Sequence, residues 1–570
     1  MGTFGLQIHT IALAAALALS GCASGALSST IGDQTKGSLS TSADRELTAD
    51  QQVAQVLNRL TFGARPGDHE AVRAMGVDRW IARQLQPARI RDDAGDQVAQ
   101  RFTMLQVESR EIVSLFTEVR RARRQRQRMA ADSSGANQAD ARPRADPQTR
   151  RAARQLQSVV AELQAAKVAR AVASERQLGE VMVDFWENHF SVFAGKGQTR
   201  LYLTHYDRDV IRPHAFGKFR DLLGAVARSP AMLFYLDNWQ SAADSGRSVA
   251  GARGARRRAG AFPGRRRPRG INENYARELL ELHTLGVDGG YAQKDVGEVA
   301  RALTGWSIEP GAGAFVFRPA IHDADDKVVL GHRLRAGRGI EDGEEVLDIL
   351  SRHPATARHI ARKLVVRFVS DSAPPSLVAR AAETFRRTDG DIREVVRTIV
   401  TSPEFFSRAA YRAKVKSPFE LVTSALRTMN ADVDATPRTA RMVAQLGQPI
   451  FGRQTPDGWP ETSNEWMNAG AILNRINFGF AVAGGRVPGA SLDRWPPATK
   501  LASASRDAQV EGVVRAVLGG EASPESWTIL RSGENPLAKA GASDAMDPVR
   551  LSGLAQLLGL ALGAPEFQRK

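Results

Sequence analysis

The sequence predicts a mainly α protein: one large multi-helical single domain with a small β-hairpin and a protruding helical hairpin. Three observations predict it. Apolar residues recur at intervals of three and four over most of the chain from residue 47 onward. Aromatics are only 6% of residues, while Ala, Leu, Arg and Glu, which lose little side-chain freedom in a helix, are dense. At 570 residues, 42% of them hydrophobic, the chain is long enough to bury a sizeable core.

The elements follow in order. Residues 1–21 carry no charged side chain, and the apolar run Ile11 to Leu19 is too short to cross a bilayer of about 30 Å, so it reads as a signal-peptide core. Directly after it, Leu19-Ser20-Gly21-Cys22 resembles the bacterial lipobox, in which the Cys thiol takes a diacylglycerol. Cys22 is the only cysteine, so no disulfide forms within the chain. Residues 22–46, rich in Ser, Gly, Ala and Thr, are expected to be a flexible tether. With Ala23 rather than Asp after Cys22, resemblance to lipoproteins points to the outer membrane, facing the periplasm.

Residues 47–570 form the expected domain. Val53, Val56, Leu57 and Leu60 begin its helical pattern, and Val72, Met75, Trp80, Ile81 and Leu85 continue it. Between about Val98 and Leu178 two long helical patterns flank a break at Ala131 to Pro147, which predicts the hairpin. Phe315-Val-Phe317 and Lys327-Val-Val-Leu330 are expected to pair as the small β-hairpin. Asp342 to Phe406 and Ser417 to Phe480 return to helices punctuated by Pro.

The formal charge of +16 invites a nucleic-acid partner, but much of it sits in two Arg-rich insertions, near 120–154 and 241–270. They lack interleaved aromatics, and export disfavours nucleic acid further. Adhesion to anionic lipid or envelope polymer fits better.

Three polar clusters could carry chemistry. In Asn272 to Gly286 a helix would place Asn274, Glu278 and Glu281 on one face, with Arg277 adjacent and Gly286 ending it. Such a stripe could coordinate a cation or hold one carboxyl protonated for acid–base work, or it could be a solvated face with internal ion pairs. In Asp184 to Phe190 the pair Asn188-His189 lies between bulky aromatics, and a neighbouring carboxylate would raise the His189 pKa. His322, beside Asp323, Asp325 and Asp326, lacks the EF-hand pattern and gains value only if the fold brings it against Glu278 and Glu281. Walker, Rossmann, zinc-helix and Gly-x-Ser-x-Gly motifs are absent.

Several stretches, in order, resemble the bacterial domain of unknown function 1800 (DUF1800) family: Leu57 to Gly67, Phe185 to Phe190, Glu273 to Gly286, Asp295 to Trp306, His322-Asp323 and the ending Ala564 to Gln568. The resemblance covers about residue 50 to 570. It implies a large, mostly helical, often exported domain whose members are commonly encoded beside an exported protein related to sulfatases. It supplies no reaction. This chain departs in carrying Asp325 where the family usually has Gly.

Two functions stay open. The first is an envelope hydrolase or metal-assisted enzyme acting on an anionic polymer. Its catalytic set would be Glu278, Glu281, His189 and His283, with Arg277 orienting an anionic group; a divalent metal would sit on His322, Asp323 and Glu278; and Asn188, Asn272, Glu273, Asn274 and Trp306 would bind substrate. The second is a non-catalytic scaffold or maturation partner of the sulfatase-like protein, with the same motifs serving as buried ion-pair networks.

Overall fold

The computed structural model describes residues 45–132, 146–243, 270–433, 436–534 and 551–570. The signal peptide, Cys22, nearly all of the tether and the interiors of both Arg-rich insertions lie outside these residues. Within them the protein is mainly helical, with two small antiparallel sheets.

The first helix, Ala49–Leu60, starts where the Thr48 hydroxyl accepts from Gln51 N (3.3 Å) and the Gln51 side chain accepts from Thr48 N (3.1 Å). Its Val53, Val56, Leu57 and Leu60 are buried, as their spacing predicts. The expected hairpin consists of Ser109–Asp132 and Pro147–Ala173, which pack together. Asp146 caps the second of these through Thr149 N (2.9 Å). The Arg tract of the first helix is largely exposed, whereas Val159, Leu163, Ala166, Val168 and Val172 of the second enter the core.

The helix Pro418–Thr428 is buried on every side. Its polar residues are therefore obliged to pair: Arg427 donates to the carbonyls of Gly63 (2.5 Å) and Val172 (2.9 Å), and Glu420 meets Arg367 (3.0 Å). Two apolar helices, Ala469–Ala483 and Gly553–Gly563, pack on each other, and the last residues then bridge Val415 to Arg569.

The expected strands exist but do not pair with each other. β1 (Trp306–Ile308) pairs with β2 (Phe315–Phe317), and β3 (Lys327–Val329) pairs with β4 (His332–Leu334). Each takes the nearer partner because short loops cost the least closure entropy. Leu330 and Gly331, at φ 49° and 83°, make the two-residue turn that matches strand twist in the second hairpin.

Candidate functional site

Two helices face each other across the site. On Gln177–His189, Asp184, Glu187 and Asn188 fall on one side; on Pro354–Phe368, His359, Lys363 and Arg367 recur every four residues. The loop 452–461, the buried Glu420 and the Lys570 side chain complete the walls.

One end is a closed charge network. Arg367 contacts Glu420 (3.0 Å), Asp184 (3.2 Å) and Glu461 (3.3 Å). Lys167 contacts Glu187 (2.5 Å) and Asp184 (2.9 Å), Lys414 meets Asp371 (2.5 Å), and Lys570 pairs with Glu420. All of these groups except Asp371 line a cavity of about 50 Å³ together with Arg453, Trp459 and Trp466. Burial alone would lower the Arg367 pKa, but its three carboxylates hold it above the usual value. Glu187 goes the other way: burial and the neighbouring Asp207 carboxylate raise it, against Lys167.

The other end is not closed. Lys363, half-buried, makes no hydrogen bond or ion pair with the described residues; burial pulls its amine down to about 8, with Glu461 and Asp457 opposing. Glu278, also half-buried, likewise has no hydrogen-bond or ion-pair partner, and its pKa is raised by burial and then by Glu281 and Asp457, against Arg277. Asp457 is thus a neighbour of both. Arg453 (2.7 and 3.0 Å) and Thr455 (2.5 Å) hold Asp457, while Tyr291 donates to Glu281 (3.0 Å).

The widened turn Leu279–Thr284, in which Leu285 N reaches back five residues to the Leu280 carbonyl (2.8 Å), carries Glu281 outward and His283 inward. His189 and His283 are buried with ring centres 6.5 Å apart, and His359 lies 6.1 Å from His189. His189 Nε2 faces the His283 carbonyl (3.2 Å) and His359 Nε2 the Leu282 carbonyl (3.3 Å), so each ring donates there and is left with a bare Nδ1. The carboxylate that would have raised the His189 pKa is not among its neighbours: burial, then Lys363, His359 and His283, push it well below its ordinary value, and burial, Lys363 and His359 take His283 to about 3.

The other sequence-predicted residues divide clearly. Asn188 clamps the loop, accepting from Trp459 N (2.6 Å) and donating to its carbonyl (2.8 Å). Gly458 (φ +77°) permits that approach, since a Cβ there would lie 2.3 Å from the Asn188 carbonyl oxygen. Asn272 is a helix cap, accepting from Tyr275 N (3.2 Å) and donating to the Leu236 carbonyl (2.7 Å). Glu273 and Arg277 share a surface lattice with Gln293, and Asn274 is exposed beside them.

Trp306 is not positioned for substrate: it is fully buried against Phe315. Nor do His322 and Asp323 meet Glu278. His322 packs against Phe317 and faces Asp342 (3.4 Å), while Asp323 takes Arg301 through two bonds (2.8 and 3.1 Å). Among the described residues no three His, Cys, Asp or Glu side chains are grouped to hold a metal ion. A charge already neutralised by a bonded guanidinium is not free to bind a cation.

Sequence reading missed Lys363, His359, Arg367, Asp457, Trp459 and Glu461. A signal for some of them was present: the cationic period of four interleaved with Ile360, Leu364 and Phe368, and the turn-rich Thr455-Pro-Asp-Gly-Trp-Pro460 between helices.

Comparison with curated proteins and with solved structures gives no match. The family model described as "Protein of unknown function (DUF1800)" matches residues 55–569. With the motif order and the helical fold both accounted for, this chain belongs to the DUF1800 family.

Proposed function

We propose that this protein is exported, lipid-anchored through Cys22 at the outer membrane, and hydrolyses an anionic envelope polymer by general acid–base catalysis. One observation carries the catalytic reading: Glu278 and Lys363, both without partners among the described residues, each feel the Asp457 carboxylate, and their pKa values are displaced toward the neutral forms. Neither lines the polar cavity, but the loop that carries Asp457 does, through Arg453 and Trp459, and unpaired, perturbed groups are where acid and base roles are found. Glu278 protonates the leaving oxygen of the scissile bond. Lys363, in its amine form, takes the proton of the attacking water, while burial and then the like charge of Glu281, which accepts from Tyr291, raise the Glu278 pKa and so favour its acid form. No step is assigned to a divalent metal.

The test is release of reducing ends from purified anionic envelope polysaccharide by the full-length protein. Glu278→Gln is expected to lower the rate by about 10²–10⁴-fold. Wild-type protein that releases nothing from any polymer fraction sinks the catalytic reading. The anchor is tested separately, by labelled palmitate entering wild type but not Cys22→Ala. Among the described residues no helix is long and apolar enough to cross a membrane.

A second reading, a scaffold or maturation partner of a sulfatase-like exported protein, draws support from the motif around His322, whose charges are spent on packing. Recovery of that partner in mild detergent, with no hydrolysis, would favour it.

A further inference from the structure

A second cavity, of about 240 Å³, opens elsewhere on the domain, between the helices Ala469–Ala483, Pro524–Ser532 and Gly553–Gly563. Its lining is mostly apolar, with Ile476, Leu530 and Leu560 inside. Its polar members Arg475, Gln568 and Ser526 are already paired, Arg475 with Gln568 and the Lys416 carbonyl and Ser526 with Glu566; a void this large with a mostly apolar wall gains little from water and leaves its apolar lining without dispersion partners. Three of the large hydrophobic side chains exposed on the described surface stand around it: Met467 (36%), Ile472 (38%) and Ile529 (36%). The apolar surface therefore continues from the interior to solvent. Beside it lies Arg569, exposed and without an ion pair or side-chain hydrogen bond among the described residues.

We propose that this cavity holds the hydrocarbon tail of a single-chain anionic amphiphile, a fatty carboxylate, with the Arg569 guanidinium pairing its head group. An apolar void, an apolar rim and a cation unpaired among the described residues together match such a molecule, whereas a sugar or a phosphate alone would leave the void unfilled. The charge selects the head. Removal of methylenes from water drives entry, and the short hydrocarbon wall limits how many are sheltered. The proposal is independent of the hydrolase reading, because the cavity shares none of Glu278, Lys363 or Asp457.

The experiment titrates the full-length protein with octanoate, decanoate and dodecanoate below their micelle concentrations, by calorimetry or by displacement of a fluorescent fatty acid. Affinity is expected to rise about fourfold per added methylene until the cavity is full, then to level off. Leu560→Trp, which fills the void, should abolish uptake. Arg569→Glu, at an exposed position that leaves the fold intact, should weaken dodecanoate about fivefold while dodecanol binding stays unchanged. Affinity that does not depend on chain length, or dodecanoate binding indifferent to Arg569→Glu, overturns the proposal. So does a concentration-dependent dimer that covers Met467, Ile472 and Ile529 and takes up no fatty acid.

Discussion

The polar cluster around His322 and the one around His189 use the same side-chain types and end in different states. At the first, Asp342 meets Lys327 (2.7 Å), Arg338 (3.3 Å) and His322 (3.4 Å), and Arg301 spans Asp323 and Glu298. At the second, His189 and His359 face backbone carbonyls, and Lys363 and Glu278 have no partner among the described residues. The difference teaches that burial of a His-Asp or His-Glu motif says little until its counter-charges are known. Charges that meet counter-charges fix packing; charges that do not are left open to chemistry.

The largest expected effect comes from acid. His283 and His359 are lowered from 6.5 to about 3 and about 4, and His189 falls well below its ordinary value. A depressed folded-state pKa means that the unfolded chain takes up protons first, so the stabilisation is present above pH 6.5 and is lost as pH falls toward 4. Thermal unfolding between these pH values should lose on the order of 5 kcal/mol, and His283→Phe should flatten the profile. A profile unchanged by that variant would remove His283 from the account.

Next, Asp342→Ala leaves Lys327 buried without its carboxylate and should cost about 3–5 kcal/mol in urea unfolding. A cost below about 1 kcal/mol would mean that the two clusters are alike after all.

Lys363→Met is expected to act in the opposite direction at neutral pH, stabilising by roughly 1–2 kcal/mol because an unpaired ammonium is replaced by a thioether. The folded amine titrates near 8 against 10.5 unfolded, so wild-type stability should fall as pH drops from about 10.5 to 8, a slope the variant lacks. The same variant should lose hydrolysis, which separates function from packing within one residue.

Arg277→Ala gives the smallest effect. Among the described residues its one ion pair is with the half-exposed Glu273 at 3.8 Å, so stability should change by less than about 0.5 kcal/mol. A large loss of substrate affinity in that variant would restore Arg277 to the site.

Much of the helical framework was legible in the sequence. Val53, Val56, Leu57 and Leu60, or the two halves of the hairpin, announce themselves through a period set by the helix itself. The candidate site was legible only in part. His189 and His283 come together from motifs visible in the chain, and the Glu281 carboxylate acts on Glu278, three residues before it, raising its pKa. The supposed link to His322 and Asp323 failed because the 295–306 stretch, through Arg301 and Thr304, reaches them first.

By itself, then, the sequence determined the helical class, the positions of the polar motifs and the family, because each depends on residues near one another in the chain. Only the tertiary structure decided which strand partners which, that His189 is pushed away from its charged form, and that Asp457 of the 452–461 loop acts on both Glu278 and Lys363. The reason is physical. A pKa or an ion pair answers to whatever charge and solvent lie within a few ångströms, and for Asn188 and Lys363 those neighbours come from distant parts of the chain.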